Sequence, residues 1–377
     1  MKALYITFLN EDIRPGYKMK IHSQCKALYE LGYESFLYIV TNNGMRLYQV
    51  EDISKEIEVY DNPNKRRCVE RNIKDEFHLL QFFCKELKSI VEFIRPDVVY
   101  IRRIVPANPW IIKGMKYIKK MGARIIYEYP TYPWKPEMIK SKQYFLLMAE
   151  LPFYKKIEQL SDVIAYMGDY TGNSHKFIQI YNGVDVDSFK PHEKILTEEL
   201  HLIGVAHVAF YHGYDRVIRG LAEYYKETPD RKIIFHIVGT VDEELGLLKM
   251  VTELKLQEYV KFHGFKTGAE LDNLFDLCDI GIESLALFRL GNNYKQTASL
   301  KSREYMARGI PYLRSAQNVF DDSDLDFIFK VENTDTPVHI KKLLADYNNM
   351  KSTKEDIREF ARKNLSWKQQ MEKVLPR

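Results

Sequence analysis

The chain has 377 residues with 56 basic against 52 acidic side chains, and a net charge of +4 is too small to imply a nucleic-acid partner. A hydrophobic share of 45% and a charged share of 29%, with 26 Tyr and 20 Phe, exclude a disordered chain and suffice for two domains with separate cores. No run of 18 apolar residues exists, Met1-Lys2 leads straight into a strand-like stretch, and Cys25, Cys68, Cys84 and Cys278 lack metal-site spacing, so a soluble cytoplasmic protein with reduced thiols is expected.

In chain order, residues 3–8 read as a strand, a loop runs to Gly16, a helix covers 17–31, and 35–40 is the next strand. Strand, glycine loop and helix make the phosphate-facing corner of an α/β sheet, where Gly16 is either a point of ligand approach or an ordinary turn residue. No G-x-G-x-x-G is present. A helix over 74–93, a strand over 97–101, a helix over 107–120 and strands at 124–129 and 162–167 continue the alternation. This predicts a parallel sheet covered by helices on both faces. Between the last two strands, residues 134–156 mix Trp134, Tyr144 and Phe145 with Lys140, Lys142, Lys155 and Lys156. Such a mixture fits either a membrane-surface helix or a core helix with solvated lysines behind it.

A strand over 180–185 runs into an Asn-Gly turn, a polar linker follows, and a second alternating series starts at 202. It has strands at 202–208, 232–238, 260–263 and 280–284 and helices at 215–226, 242–254 and 268–277. Residues 299–313 then form a short helix with a hard stop: Gly309 supplies the left-handed residue, Pro311 forbids continuation, and Tyr312-Leu313 opens a buried strand. Lys301 and Glu304 share a face near that helix start. A carboxylate there suits ribose hydroxyls, and a helix N-terminus beside a lysine suits phosphate. The competing reading is a surface helix with a Glu304–Arg308 pair.

Asn182-Gly183-Val184-Asp185, His212-Gly213-Tyr214-Asp215-Arg216 and the Lys301/Glu304 helix ending Ala307-Arg308-Gly309-Ile310-Pro311 occur in the order found in glycosyltransferase family 4. Over essentially its whole length the chain resembles that family of retaining, nucleotide-sugar-dependent enzymes, and residues 128–133 with the Lys301 helix look most like members that build bacterial capsule or exopolysaccharide. The resemblance implies an α/β GT-B fold, in which two Rossmann-like domains face each other across a cleft. Residues 1–185 would bind acceptor, 186–360 the nucleotide-sugar, and 361–377 would be a helix packing back on the first domain.

The resemblance also implies roles. Glu304 matches the second glutamate of the E-x7-E element, whose first position is here Gln296. The diphosphate clamp falls on His207 and His212, with Arg216 and Lys301 as substitutes, and a strand-end histidine of the first domain is replaced by Glu128. The implied catalytic set is Glu128, Arg216 and Lys301. The implied donor set is Gly16, His212, Gly213, Arg216, His263, Asn293, Tyr294, Lys295, Lys301 and Glu304, with Arg289 and Asn292 near the sugar. Lys140, Lys142, Lys155 and Lys156 are the acceptor and membrane candidates. No metal and no cofactor are expected: the D-x-D spacings at Asp185–Asp187 and Asp324–Asp326 lie in linker and loop. The expected activity moves a sugar from a nucleotide-sugar to a lipid-linked saccharide at the inner face of the cell membrane. A non-catalytic partner subunit and a sugar-nucleotide epimerase on the same fold are the alternatives.

Overall fold

The computed structural model describes residues 1–12, 15–52, 54–60, 73–168, 170–291 and 296–376. They form two compact units, Met1–Gly183 with Trp367–Arg377, and Val184–Ser366.

The first unit runs β1 (Lys2–Asn10), α1 (Pro15–Glu30), β2 (Glu34–Thr41), β3 (Gly44–Val50), β4 (Ser54–Tyr60), α2 (Ile73–Ile94), β5 (Val98–Arg102), α3 (Pro109–Lys120) and β6 (Arg124–Tyr132). Three short helices follow, α4 (Trp134–Lys140), α5 (Tyr144–Glu150) and α6 (Tyr154–Leu160), then β7 (Val163–Gly168) and β8 (Phe177–Gln179). Eight strands pair in the order β4-β3-β2-β1-β5-β6-β7-β8. Every position of β5 is buried, as a central parallel strand covered on both faces requires. Along β1 the side chains alternate: Leu4 and Ile6 join the core with α2 and α3, whereas Ala3 and Tyr5 join Ile21 and Leu28 of α1. Asn108 starts α3 by accepting the N–H of Ile111 at 2.9 Å, and a proline follows at the first helical position.

The sheet is mixed, which corrects the expectation of parallel strands alone. β3 and β4 pair antiparallel to their neighbours as a hairpin-linked edge. Their signal was present in the buried alternation of Met45 and Leu47 after the Asn42-Asn43-Gly44 turn.

The second unit contains β9 (Leu200–Val205), α7 (Tyr214–Tyr224), β10 (Ile233–Val238), α8 (Leu247–Glu253), β11 (Val260–Phe262), α9 (Gly268–Leu277), β12 (Ile280–Ile282) and β13 (Gln296–Thr297). It continues with α10 (Leu300–Arg308), β14 (Tyr312–Arg314), β15 (Gln317–Asn318), β16 (Ile328–Lys330), α11 (Ile340–Asn349) and α12 (Lys354–Asn364). Six parallel strands form its sheet in the order β11-β10-β9-β12-β14-β16. The strands are short because the βα loops begin early, at the carboxyl ends where such sheets carry ligands.

The terminal helix expected from residue 361 is instead two elements: α12 ends at Asn364 in the second unit, and α13 (Trp367–Glu372) belongs to the first. Trp367, Met371, Val374 and Leu375 pack with Ile21 and Leu28, and the Gln370 side chain accepts the N–H of Tyr181 at 3.0 Å. Gly183 sits against that helix so closely that a Cβ would lie 2.7–2.8 Å from Trp367. The glycine of the Asn-Gly turn is therefore there for helix packing.

Candidate functional site

The strongest candidate lies where β12 ends and α10 begins. Ser299 caps α10 by accepting the N–H of Ser302 at 3.1 Å, and Gly309 closes it at φ 82°. Ser302, Arg303, Tyr305, Met306, Ala307 and Arg308 are buried, which leaves Lys301 and Glu304 partly exposed on the remaining face. Glu283, fully buried just past β12, accepts the Ser299 hydroxyl at 2.5 Å and the Ser284 N–H at 2.7 Å. Lys301 Nζ stands 2.8 Å from Ser284 Oγ and 3.4 Å from Glu283 Oε1. Burial pulls the Lys301 ammonium below its usual value against the pull of Glu283. Its side chain keeps 16% exposure, and Ser284 and Glu283 orient the ammonium. Glu283, Ser284 and Ser299 escaped the sequence reading. The available signal was an acid directly after the apolar run Ile280–Ile282.

One turn on, Glu304 accepts from Arg308 at 3.0 Å, and Arg308 also holds Asp272 at 2.8 Å. The ion pair anticipated as the competing reading is thus present. Both Arg308 contacts fall on Oε1, however, and the side chain is 24% exposed, which leaves Oε2 for a ligand. Burial raises the Glu304 carboxyl, with Arg308 opposing.

The neighbouring candidates divide. His212 is buried, and its Nδ1 accepts the N–H of Ala209 at 2.9 Å. Burial, with Lys301 nearby, pushes its pKa down to about 3. It is neutral at pH 7, so it offers an Nε2–H donor but not the positive charge of a diphosphate clamp. Gly213 (φ 66°) is needed for chain packing, since a Cβ would meet Ala286 at 2.8 Å. His207 is 72% exposed and bonds Thr240, with Asp242 at 3.2 Å. Gln296 is exposed in β13.

Arg216 corrects the sequence reading outright. It is fully buried, and its guanidinium donates to the carbonyls of Thr336 at 2.8 Å, Glu332 at 2.9 Å and Leu285. A group spent on three backbone carbonyls holds the loops at 285 and 332–336 together and does not meet a phosphate. Arg289 likewise turns away, pairing with Asp215 at 2.8 Å and Asp335 at 3.1 Å. Asn293, Tyr294 and Lys295, with Asn292, lie outside the described residues.

Glu128 in the first unit is the second correction. It is fully buried and accepts from Arg102 at 2.6 Å, Tyr100 at 2.7 Å and Gln24 at 3.0 Å, with Lys20 at 3.8 Å. Burial alone would raise its carboxyl, but Arg102 and Lys20 bring it below the ordinary range. A carboxylate enclosed by so many partners is not placed as a nucleophile. Lys20, buried and crowded by Arg102, is itself pulled down to about 7.

The remaining calls are simpler. Gly16 is the second residue of α1 rather than part of the loop, and a Cβ there would meet no other part of the described chain within 4 Å. His263 is engaged by His236. Lys142, Lys155 and Lys156 are exposed, whereas the Lys140 side chain lies outside the described set. Around them Tyr144, Phe145 and Met148 are 56%, 62% and 66% exposed, and Leu146 and Leu147 turn inward. Asp187 of the first D-x-D pairs with Arg362 at 2.9 Å, and Asp326 of the second accepts the Lys351 N–H at 2.7 Å.

No family model matches the sequence, and neither does any curated protein. Solved structures do match. A glycosyltransferase from Rickettsia africae is 14% identical with a TM-score of 0.61, the alignment covering 99% of this chain and 96% of that one. Sucrose-phosphate synthase from Thermosynechococcus elongatus is 12% identical over 99% and 98%, with a TM-score of 0.63. The Anabaena protein HepE in complex with UDP and glucose is 14% identical over the same shares, with a TM-score of 0.57. With its two α/β units, one on a mixed sheet and one on a parallel sheet, and a match along nearly the full length, the chain has the GT-B glycosyltransferase fold.

Proposed function

We propose that the chain is a glycosyltransferase that takes its sugar from a nucleotide-sugar donor held at the β12–α10 corner of the second unit. The observation that carries this is Lys301: an ammonium fixed by Glu283 and Ser284 at a capped helix start, with the open Oε2 of Glu304 one turn away. Lysine and helix amides suit the diphosphate, and Glu304 the ribose. The fold shared with a glycosyltransferase, and with HepE, which is solved in complex with UDP-glucose, supports the same reading. The finer reading is a family 4 enzyme that transfers with retention to a lipid-linked saccharide in surface polysaccharide synthesis, without a metal. Its transition state would be oxocarbenium-like, with charge on the departing diphosphate stabilised by Lys301 and helix amides. Titration calorimetry with sugar nucleotides tests the donor site. Glu304→Ala should weaken binding by about 1–3 kcal/mol, and unchanged affinity would return Glu304 to its pair with Arg308. Retention stands or falls on the anomeric proton coupling of the product.

The lipid-linked acceptor places the enzyme at a membrane surface. Exposed Tyr144, Phe145 and Met148 beside Lys142, Lys155 and Lys156 support attachment to acidic lipid, each cation contributing roughly 1 kcal/mol. No helix among the described residues is long and apolar enough to cross a membrane. In liposome co-sedimentation, binding should require acidic lipid, fall with salt, and drop when the three lysines become Gln. Equal recovery on neutral liposomes would remove this surface from the proposal.

A further inference from the structure

Three histidines of the second unit stand in a row that the proposed transfer does not use. His201 Nδ1 lies 2.9 Å from His236 Nε2, and His236 Nδ1 lies 2.8 Å from His263 Nε2. His201 is in β9, His236 in β10, and His263 follows β11 directly, so the row crosses three neighbouring strands. His201 and His236 are buried, and His263 is half-buried. The inner end, His201 Nε2, is buried without a hydrogen-bond partner, and the Glu199 carboxylate stands 3.9 Å away.

His236 turns its two nitrogens to two different neighbours, so the lone pairs do not converge on one point as metal ligands must. Among the described residues no group of three His, Cys, Asp or Glu is placed to hold a metal. The row is instead a chain of N–H···N bonds, and each link holds one proton between two nitrogens. In the neutral row every ring donates in the same direction, either toward His201 or toward His263. One added proton is accommodated without losing a link, because a His236 imidazolium donates both ways. His201 then carries its proton on Nε2, beside Glu199, and His263 on Nδ1. A second added proton sets two N–H groups against each other and breaks a link.

We propose that His201, His236 and His263 form a proton-sharing row that takes up one proton as a unit through His263 and gives up its strand-to-strand links when a second enters, so that acid loosens the β10–β11 edge.

The charged surroundings set the threshold. Asp279 accepts the backbone N–H of His201 at 2.8 Å but is already held by Lys194 at 3.0 Å and by the Tyr347 hydroxyl at 2.9 Å. Arg231 and Lys194 face His201, Lys261 faces His236, and Lys261 and Lys266 face His263, against Glu199 and Asp279. Burial first holds all three rings below the ordinary histidine value; the nearby cations add to it for His201 and His263, and the two flanking rings and then Lys261 for His236, which stands at about 3. A histidine whose folded pKa is lowered gives stability that is complete above its unfolded value of about 6.5 and is lost as pH falls below it.

Two measurements on the full chain test the proposal. Imidazole ¹⁵N spectra should give His201, His236 and His263 coupled titrations with one shared tautomer sense at pH 7.5, and His236→Phe should move the titrations of the other two. Thermal midpoints from pH 7.5 to 5 should fall about 2–4 °C further in the wild type than in His236→Phe, with faster amide exchange at residues 260–262 in acid. His192 and His212 are present in both proteins and cancel in that difference. Should His236→Phe fail to fold, His263→Gln shortens the row from its half-buried end and must move the His201 titration. Three independent titrations that neighbouring substitutions leave in place, or equal acid slopes in wild type and variant, would overturn the row.

Discussion

Each unit buries a glutamate against a lysine, and the two are completed in different ways. Glu128 in the first unit is met by Gln24 and Lys20 from α1 and by Tyr100 and Arg102 from β5, and Lys20 and Arg102 are buried with it. Glu283 in the second unit is equally inaccessible, but its partners are two serines and Lys301, whose side chain still reaches the surface. The first arrangement buries the acid together with its two cations and acts as a joint between strands and helix. The second uses a buried carboxylate to hold a cation whose side chain stays partly exposed. A carboxylate's role in a sheet of this kind is therefore read from where its cation ends, not from the carboxylate itself.

The comparison breaks most sharply at Glu128. Glu128→Ala leaves Arg102 and Lys20 buried without their acid and should cost about 3–5 kcal/mol of stability in urea unfolding. If the first unit's transition does not move, the cluster is a surface feature and the contrast fails. Lys301→Ala comes next. It should lower nucleoside diphosphate affinity by about 1.5–3 kcal/mol while nucleoside affinity holds, and equal losses for both ligands would assign Lys301 to the fold like Glu128. The smallest effect is expected at Ser299→Ala, which removes the α10 cap and one bond to Glu283. About 1 kcal/mol of stability should go, with a lower diphosphate affinity because Glu283 is then less fixed. Wild-type affinity in that variant would mean that Lys301 is aimed by Ser284 alone.

Much of the scaffold was legible in the sequence because it is written locally. Gly309 and Pro311 mark the end of α10 within three residues, and the apolar runs around Val98 and Ile233 mark central strands. Glu304 carried both of its readings openly, and the structure contains the pair with Arg308 and a free oxygen together. What was not legible depends on partners distant in the chain. Arg216 looks like a phosphate ligand until its acceptors appear at Leu285, Glu332 and Thr336, and no periodicity announces those carbonyls. Glu128 looks like a catalytic strand-end acid until Gln24 and Arg102 close over it. His212 looks cationic until burial makes it neutral. In each case the sequence gives the functional group, and tertiary burial decides what the group can do.

The return of α13 to the first unit bears on the order in which the protein can be made. Trp367, Met371, Val374 and Leu375 complete the core around Ile21 and Leu28, and Gln370 satisfies the backbone at Tyr181. These residues are translated only after the entire second unit. Domains generally fold as they emerge, the N-terminal one first, but here the first unit reaches the ribosome exit with one helix-sized face of its core still bare. The second unit, contiguous from Val184 to Ser366, is complete before the first can close. The nascent chain thus carries an exposed apolar surface, formed by Ile21, Leu28 and their neighbours, for the time needed to synthesise more than 180 residues.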